Sequence, residues 1–294
     1  MKPSRFTYHA PQQLEGVLDL LGEHGDEAKV LAGGQSLMPL LSFRMATPEH
    51  IVDINRLTGL DTLQRTDTGW CIPALVRQRA VERSPEVAAT VPLLTQALEQ
   101  VAHPQIRNRG TVCGSLAHGD AAAELPAVML ALEASMRVVS RTGERKISAE
   151  DFFVFHLTTA IADDELLLDV SVADLPARTY SSFQEFATRR GDFGIAGVAA
   201  VVTVDESGVV SRSRLVAAGV APTPIRLTGA EQALLGQQLE PDVLAAVGAA
   251  ARQEVDPTGD VHADGVYRRQ LVGVLTQRAL RDVITKGSLA NVPV

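Results

Sequence analysis

Along residues 12–24 apolar side chains recur at helical spacing. Leu14, Val17, Leu18 and Leu21 share one face, with Pro11 before the run and Gly25 after it. The spacing predicts a helix that stops at the glycine. KVLAGG then reads as a short strand running into glycines, and IVDI at 51–54 as another. The order helix, strand, glycine loop sets that loop at the carboxyl end of a strand, a usual ligand position in α/β folds. Leu93, Leu94, Ala97, Leu98 and Val101 predict a second helix over 93–101. His103-Pro104 is expected to end it, because the residue before proline avoids the helical region. A second glycine segment follows directly, and Leu125 to Leu132 reads as a buried helix carrying Ala127, Val128 and Leu130.

The pattern then changes. Residues 136–147 read as a hairpin turning at Thr142-Gly143, and 165–172 as a strand ending near Pro176. LPART breaks the apolar pattern and suggests a boundary near 176–180. Beyond it, 195–204 and 212–220 read as strands paired across Glu206-Ser207-Gly208, and 242–252 and 264–285 as helices. The layout is α+β, with a small β/α domain at the C-terminal end.

Composition narrows the class. At 294 residues, 46% hydrophobic and 21% charged, the chain has ample length for a packed core. A net charge of −8 and only 4% aromatic residues argue against a nucleic-acid partner, which selects basic surfaces and stacking platforms. No run of eighteen apolar residues predicts a transmembrane segment, and the first residues lack a signal peptide's apolar stretch. The expectation is a soluble, cytoplasmic protein. Its two cysteines form no CxxC pair and cannot build an iron–sulfur or zinc site alone. Cys71, beside Trp70, reads as a buried small hydrophobe, whereas Cys113 lies inside the second glycine segment.

The candidate chemistry sits in AGGQSLMP at 32–39 and GTVCGSLAHGD at 110–120. Gly33 and Gly34 carry no β-carbon, so their N–H groups can meet an anion at contact distance. Ser36 adds a hydroxyl, and the apolar residues after it can open a helix whose N-terminus favours negative charge. Thr111, Gly114 and Ser115 repeat the recipe, and two such cradles suit a dinucleotide. Turn chemistry explains either segment alone equally well. GxGxxG and GxxxxGK[ST] are both absent. Ser115, His118 and Asp120 do not make a hydrolase triad, since no GxSxG elbow surrounds the serine. His103 and His156 have no recognisable partners, and no residue is assigned to a metal.

Taken together, FTYHAPQQLEGVLDLL, AGGQSLMPLLSFRMATPEHIVDINRL, HPQIRNRGTVCGSLAHGDAAAELPAVML, RRGDFGIAGVAAVV and YRRQLVGVLTQRAL resemble the FAD-binding medium subunit of molybdenum hydroxylases, the xanthine and carbon monoxide dehydrogenase group. Five segments in order span nearly the whole chain. The resemblance implies an FAD-binding PCMH-type fold of two α/β subdomains at about 1–56 and 57–176. A C-terminal flavoprotein domain, residues 177–290, would follow with a small antiparallel sheet and helices, as in carbon monoxide dehydrogenase flavoproteins.

The same resemblance implies site residues. Ala32, Gly33, Gly34, Gln35 and Ser36 make the first loop, which holds the pyrophosphate, and Leu31 and Leu37 on either side of it are also placed at the cofactor. Thr111, Cys113, Gly114 and Ser115 approach it from the other subdomain. Ile106, His118, Asp120 and Leu167 are also placed at the cofactor. Glu124 aligns with an acidic position that accepts hydrogen bonds from ribityl hydroxyls, a task for an ionised carboxylate; the other reading is an ordinary solvated carboxylate. Asp192 and Phe193 match a segment beside the isoalloxazine ring, where many relatives carry tyrosine; plain core packing is the other reading of Phe193. Cys113 replaces a glycine common among relatives, so either its backbone keeps ordinary angles or the loop lies farther from the phosphate. A redox role for its thiol is disfavoured, because no second cysteine is placed to resolve a disulfide. His118 is expected to pack the loop beside the ribityl chain rather than act as a base.

The expected function is electron transfer. Non-covalent FAD would accept electrons from [2Fe-2S] clusters of a small subunit, fed by a molybdenum cofactor on a large subunit, in a dimer of heterotrimers. Gln35, Ser115 and Ala122 differ from the GGHS and GGNxANGDP patterns of carbon monoxide dehydrogenase relatives and lean toward N-heteroaromatic hydroxylases. A carbon monoxide dehydrogenase medium subunit and a self-sufficient flavin oxidase are the alternatives.

Overall fold

The computed structural model describes residues 2–290. Its first unit contains β1 (Thr7–His9), α1 (Leu14–His24), β2 (Ala28–Leu31), α2 (Leu37–Phe43) and β3 (His50–Asp53). Strand β3 lies between β1 and β2, parallel to both, with His50 opposite Thr7 on one side and Ala28 on the other. The apolar stripe of α1 buries Val17, Leu18 and Leu21, and the helix stops at Gly25, whose φ of 51° suits glycine.

The second unit opens with β4 (Gln64–Arg65) and β5 (Gly69–Pro73), followed by α3 (Gln78–Glu82), α4 (Pro85–Thr90), α5 (Pro92–Leu98), α6 (Pro104–Arg107), α7 (Val112–His118) and α8 (Glu124–Ala131). Then come β6 (Ser135–Ser140), β7 (Gly143–Ser148), α9 (Ala149–Phe152), the small hairpin β8 (Phe153–Phe155) and β9 (Thr158–Thr159), and β10 (Leu166–Ala173). Five strands form one antiparallel sheet, ordered β4-β5-β10-β6-β7.

Four local expectations change here. Helix α5 ends at Leu98, short of residue 101, and Ala102 takes φ 42°. Pro104 does not close a helix; it opens α6, at the one position where its missing N–H is harmless. The second glycine segment is not a loop but helix α7, N-capped by Thr111 Oγ1, which accepts from the Gly114 N–H at 3.0 Å, and ended by Gly119 at φ 65°. Cys71 is only half-buried on β5, because alternation turns its side chain away from the core that Trp70 and Ile72 enter.

The third unit is a four-stranded antiparallel sheet, β11 (Thr179–Phe186), β12 (Ala196–Val204), β13 (Val210–Ala218) and β14 (Ile225–Arg226), with helices α10 (Thr228–Leu234), α11 (Pro241–Gln253) and α12 (Gly265–Ala290). Strand β11 begins inside the stretch read as a boundary. Strand β12 is buried on both faces. Ala199 and Val201 join the core of the first two units, while Val198, Ala200 and Val202 join a second core with the C-terminal helices. The period-two alternation of one strand therefore welds the third unit to the others.

Candidate functional site

A cavity of about 690 Å³ opens where the three units meet. That size suits a large organic ligand. Ala32, Gly33, Gly34, Gln35, Ser36 and Leu37 form one wall. Thr111, Cys113, Gly114, Ser115, His118, Asp120 and Glu124 form the opposite one, with Ile106, Leu167, Asp192 and Phe193 completing the lining. Leu31 is the exception among the predicted positions. It ends β2, its carbonyl accepting from the Ile54 N–H at 3.1 Å, and it supports the glycines from behind.

The two jaws touch at Gly33. A methyl group there would overlap the Arg109 carbonyl oxygen and sit 2.8 Å from Gly110 Cα. Gly34 adopts φ 74°, which turns the chain into α2. Among the described residues, the backbone N–H groups of Gly33, Gly34, Gln35 and Ser36 donate to no protein acceptor, and the Ser36 hydroxyl makes no capping bond. Four donors without partners along the wall of a cavity are a ready anion cradle.

A polar lattice that sequence reasoning missed locks the jaws together. Asn55 Nδ2 donates to the Ala32 carbonyl (2.8 Å) and to Asp53 Oδ1 (2.7 Å). Arg77 joins the other side, donating to Asn55 Oδ1 and to the Arg109 carbonyl, both at 2.8 Å. The second jaw is tied to α3 by Gln78, whose N–H donates to the Gly110 carbonyl at 2.8 Å. Gln78 is buried and lines the cavity, and its side-chain Oε1 has no partner. A buried acceptor without a donor is costly until a ligand supplies one.

Cys113 keeps ordinary backbone angles within α7, so its β-carbon costs the jaw nothing. Its thiol donates to the Ile72 carbonyl at 3.3 Å, and burial, then Asp169 and Cys71, push its pKa far up. Cys71 thus lies near Cys113 in space, contrary to the expectation that no second cysteine is placed there. Both thiols are free. A buried, protonated thiol is a poor nucleophile, which leaves little redox chemistry to this pair.

Glu124 is buried at the start of α8, not solvated. Burial pushes its pKa up to about 7, its own backbone N–H opposing and Asp120 reinforcing the shift. A carboxyl poised there can donate as well as accept. Glu185 on β11, which no sequence signal marked, is raised to about 8 by burial and by the charge of Glu124. His118 is half-buried; burial lowers its pKa, Asp120 opposes this, and His156, for which the sequence offered no partner, adds to it. Phe193 is 66% exposed at the cavity mouth, which removes core packing as its role. Gly191 places it there, because its backbone at φ 88° lies against Ala102 and His103 too closely for a β-carbon.

The two glutamates predict a pH effect. Each holds its proton more tightly when folded than at the ordinary value of 4.5. The stability they lend is complete below that value and is lost as pH rises through 7 to 8. Flavin-free protein is expected to be less stable at pH 8 than at pH 5 by on the order of 2–3 kcal/mol from these groups. Urea midpoints at the two pH values measure the difference, and Glu124→Gln should remove much of it. An unchanged slope in that variant would sink the assignment.

Two glycine-bearing jaws across one large cavity, with an aromatic at its mouth, suit a dinucleotide ligand, and the family matches make the chain a flavoprotein subunit. Residues 4–174 match the model of the FAD binding domain in molybdopterin dehydrogenase, and residues 181–283 that of the CO dehydrogenase flavoprotein C-terminal domain. The chain belongs to this family. It is 44% identical, over 95% of each chain, to the 6-hydroxypseudooxynicotine dehydrogenase complex subunit alpha of Paenarthrobacter nicotinovorans. Its fold superposes with TM-score 0.94 on a chain of carbon monoxide dehydrogenase from Hydrogenophaga pseudoflava, at 35% identity, covering 97% of this chain and 99% of that one. For a chain of quinoline 2-oxidoreductase from Pseudomonas putida 86 the values are 0.92 and 33%, with 98% and 99% covered. The protein is therefore an FAD-carrying electron-transfer subunit of a multi-subunit molybdenum hydroxylase. No helix among the described residues is long and apolar enough to cross a membrane.

Proposed function

We propose that residues 1–176, as subdomains 1–56 and 57–176, grip non-covalent FAD, and that residues 177–290 form the C-terminal flavoprotein domain closing its mouth. The observation that carries this reading is the row of unpartnered N–H groups from Gly33 to Ser36, facing the second jaw across the cavity. These donors and the Ser36 hydroxyl bind the pyrophosphate. Glu124 and Gln78 take hydroxyl or N–H groups of the ribityl and ring portion. His118 and Asp120 pack beside the ribityl chain, with Ile106 and Leu167 supplying apolar walls. Asp192 and Phe193 screen the mouth from water. The bound flavin supplies one- and two-electron redox chemistry.

The molybdenum cofactor is assigned to a large partner and the [2Fe-2S] clusters to a small one, in a dimer of heterotrimers. Two free thiols suit a reducing cytoplasm. The substrate is read as an N-heteroaromatic compound, in keeping with the names of the quinoline and 6-hydroxypseudooxynicotine enzymes. Carbon monoxide is the second reading, favoured by the fold match to that dehydrogenase.

Isolation of the protein with its native partners tests the assignment. The expected result is one flavin, one molybdenum and four iron atoms per heterotrimer, with flavin bleaching by an N-heteroaromatic substrate. A yellow, partner-free chain that turns over substrate without metal would overturn it in favour of a self-sufficient oxidase.

A further inference from the structure

Far from the cofactor cavity in function, three of the seven histidines converge on the first unit. His9 ends β1, His24 ends α1 and His50 begins β3. His9 Nε2 lies 2.9 Å from His50 Nδ1. The His24 and His50 rings stack at 3.6 Å between centroids, and the His9 ring lies 5.2 Å from that of His50 and 5.7 Å from that of His24. One ring nitrogen from each falls within 4.8 Å of the other two. All three rings are half-buried, so solvent can reach them while packing holds them.

Around them the charge is negative. Glu27 and Glu49 each place a carboxylate oxygen within 4.8 Å of a His50 nitrogen and of each other. The Glu49 N–H donates to the Glu27 carbonyl at 3.0 Å, which fixes the two acidic segments side by side. His50 thus belongs to an imidazole trio and to a carboxylate pair at once.

We propose that His9, His24 and His50 bind one divalent transition-metal cation of the zinc, nickel or copper class, with Glu27 or Glu49 or a water in the fourth position. Zinc–nitrogen bonds of about 2.0–2.1 Å in a tetrahedral site place ligand nitrogens about 3.3 Å apart. The His9 and His50 nitrogens, 2.9 Å apart, lie near that spacing, and the His24 nitrogen is within 4.8 Å of both. The His24 and His50 rings, stacked at 3.6 Å and nearly parallel, must turn about their side-chain bonds to aim their in-plane lone pairs at one centre. Imidazole ligands select this class over calcium and magnesium, which require oxygen cages.

The position gives the site its role. It lies at the amino-terminal ends of β2 and β3, whereas the first glycine jaw leaves the carboxyl end of β2. A four-residue strand separates them by about 10 Å. Bound metal would cross-link β1, α1 and β3, and so brace the small sheet from which that jaw projects. A unit of some fifty residues has little core of its own and gains most from such a staple.

The test uses the full chain with its flavin, treated with chelator and titrated calorimetrically with zinc sulfate. One zinc per chain is expected, with a raised thermal midpoint in the metal-loaded protein. His50→Ala should weaken binding about 100-fold or more and remove the thermal shift, while His262→Ala, outside the cluster, leaves both intact. If His50→Ala does not fold, His24→Gln takes its place, with circular dichroism and flavin content as the folding controls. Cobalt(II) substitution should give the intense visible bands of a four-coordinate centre. Absence of stoichiometric binding, or zinc affinity unchanged in the folded His50 or His24 variant, would overturn the proposal.

Discussion

Gly33→Ala is expected to abolish flavin retention while leaving the chain folded. The residue does not need a glycine for its backbone angles, since its φ is not positive. It needs one for space: the added methyl meets the Arg109 carbonyl and Gly110 Cα, both main-chain atoms that cannot rotate aside. The jaws must part by a substantial fraction of an ångström, and the N–H row moves away from the phosphates. Displacements near 1 Å cost about 100-fold in well-oriented sites. Flavin content after gel filtration should fall at least about tenfold on that scale, with an unchanged far-ultraviolet spectrum. Gly34→Ala provides the contrast. Its penalty is a left-handed backbone at φ 74° plus contacts at 3.2 Å with the side-chain atoms Leu31 Cδ1 and Met38 Cγ, a cost of about 1–2 kcal/mol. Full flavin retention in Gly33→Ala would mean that the jaws do not close by direct contact.

The second large effect is one of stability. Arg107→Ala is expected to destabilise the protein by about 3–5 kcal/mol. Arg107 is buried on α6, donating to both carboxylate oxygens of Glu82 at 2.8 and 2.9 Å and to the Val101 and Ala102 carbonyls at 2.6 and 3.2 Å. Burial pushes the Glu82 carboxyl up, but Arg107 and Arg79 outweigh it and hold the group below the ordinary carboxylate range. Removing Arg107 leaves a buried carboxylate with Arg79 alone and strands two carbonyls in the turn that carries Ile106 and Gly110. Denaturant unfolding of the two proteins side by side measures the loss. The double variant Arg107→Met with Glu82→Leu should recover part of it, because a buried pair replaced by apolar groups avoids the stranded charge. A cost below 1 kcal/mol for Arg107→Ala would show that the arginine is dispensable to the turn.

Much of the fold is legible in local patterns. The stripe of α1, the strand before the first glycines, the 136–147 hairpin and the paired β12 and β13 each follow from spacing that near neighbours impose. Two places resist. Helix α7 hides in the second glycine segment, because Gly114 and Gly119 read as turn residues until the Thr111 cap shows that one lies inside the helix and the other ends it. Strand β11 hides in a polar stretch whose Ser181 and Ser182 are buried by packing against the C-terminal helix, where Ser182 bonds Asp282 at 2.7 Å.

By itself, the sequence determined the glycine jaws, their order and their company, because tight turns and close backbone approach demand particular residue types wherever they occur. Between elements distant in the chain, no local rule reaches. Only the tertiary structure decided that Asn55 and Arg77 would lock one jaw to the other, that the charge of Glu124 would bear on Glu185, and that His9, His24 and His50 would meet. Those arrangements arise from packing between elements distant in the chain, where burial and charge act on whatever side chains the fold brings together.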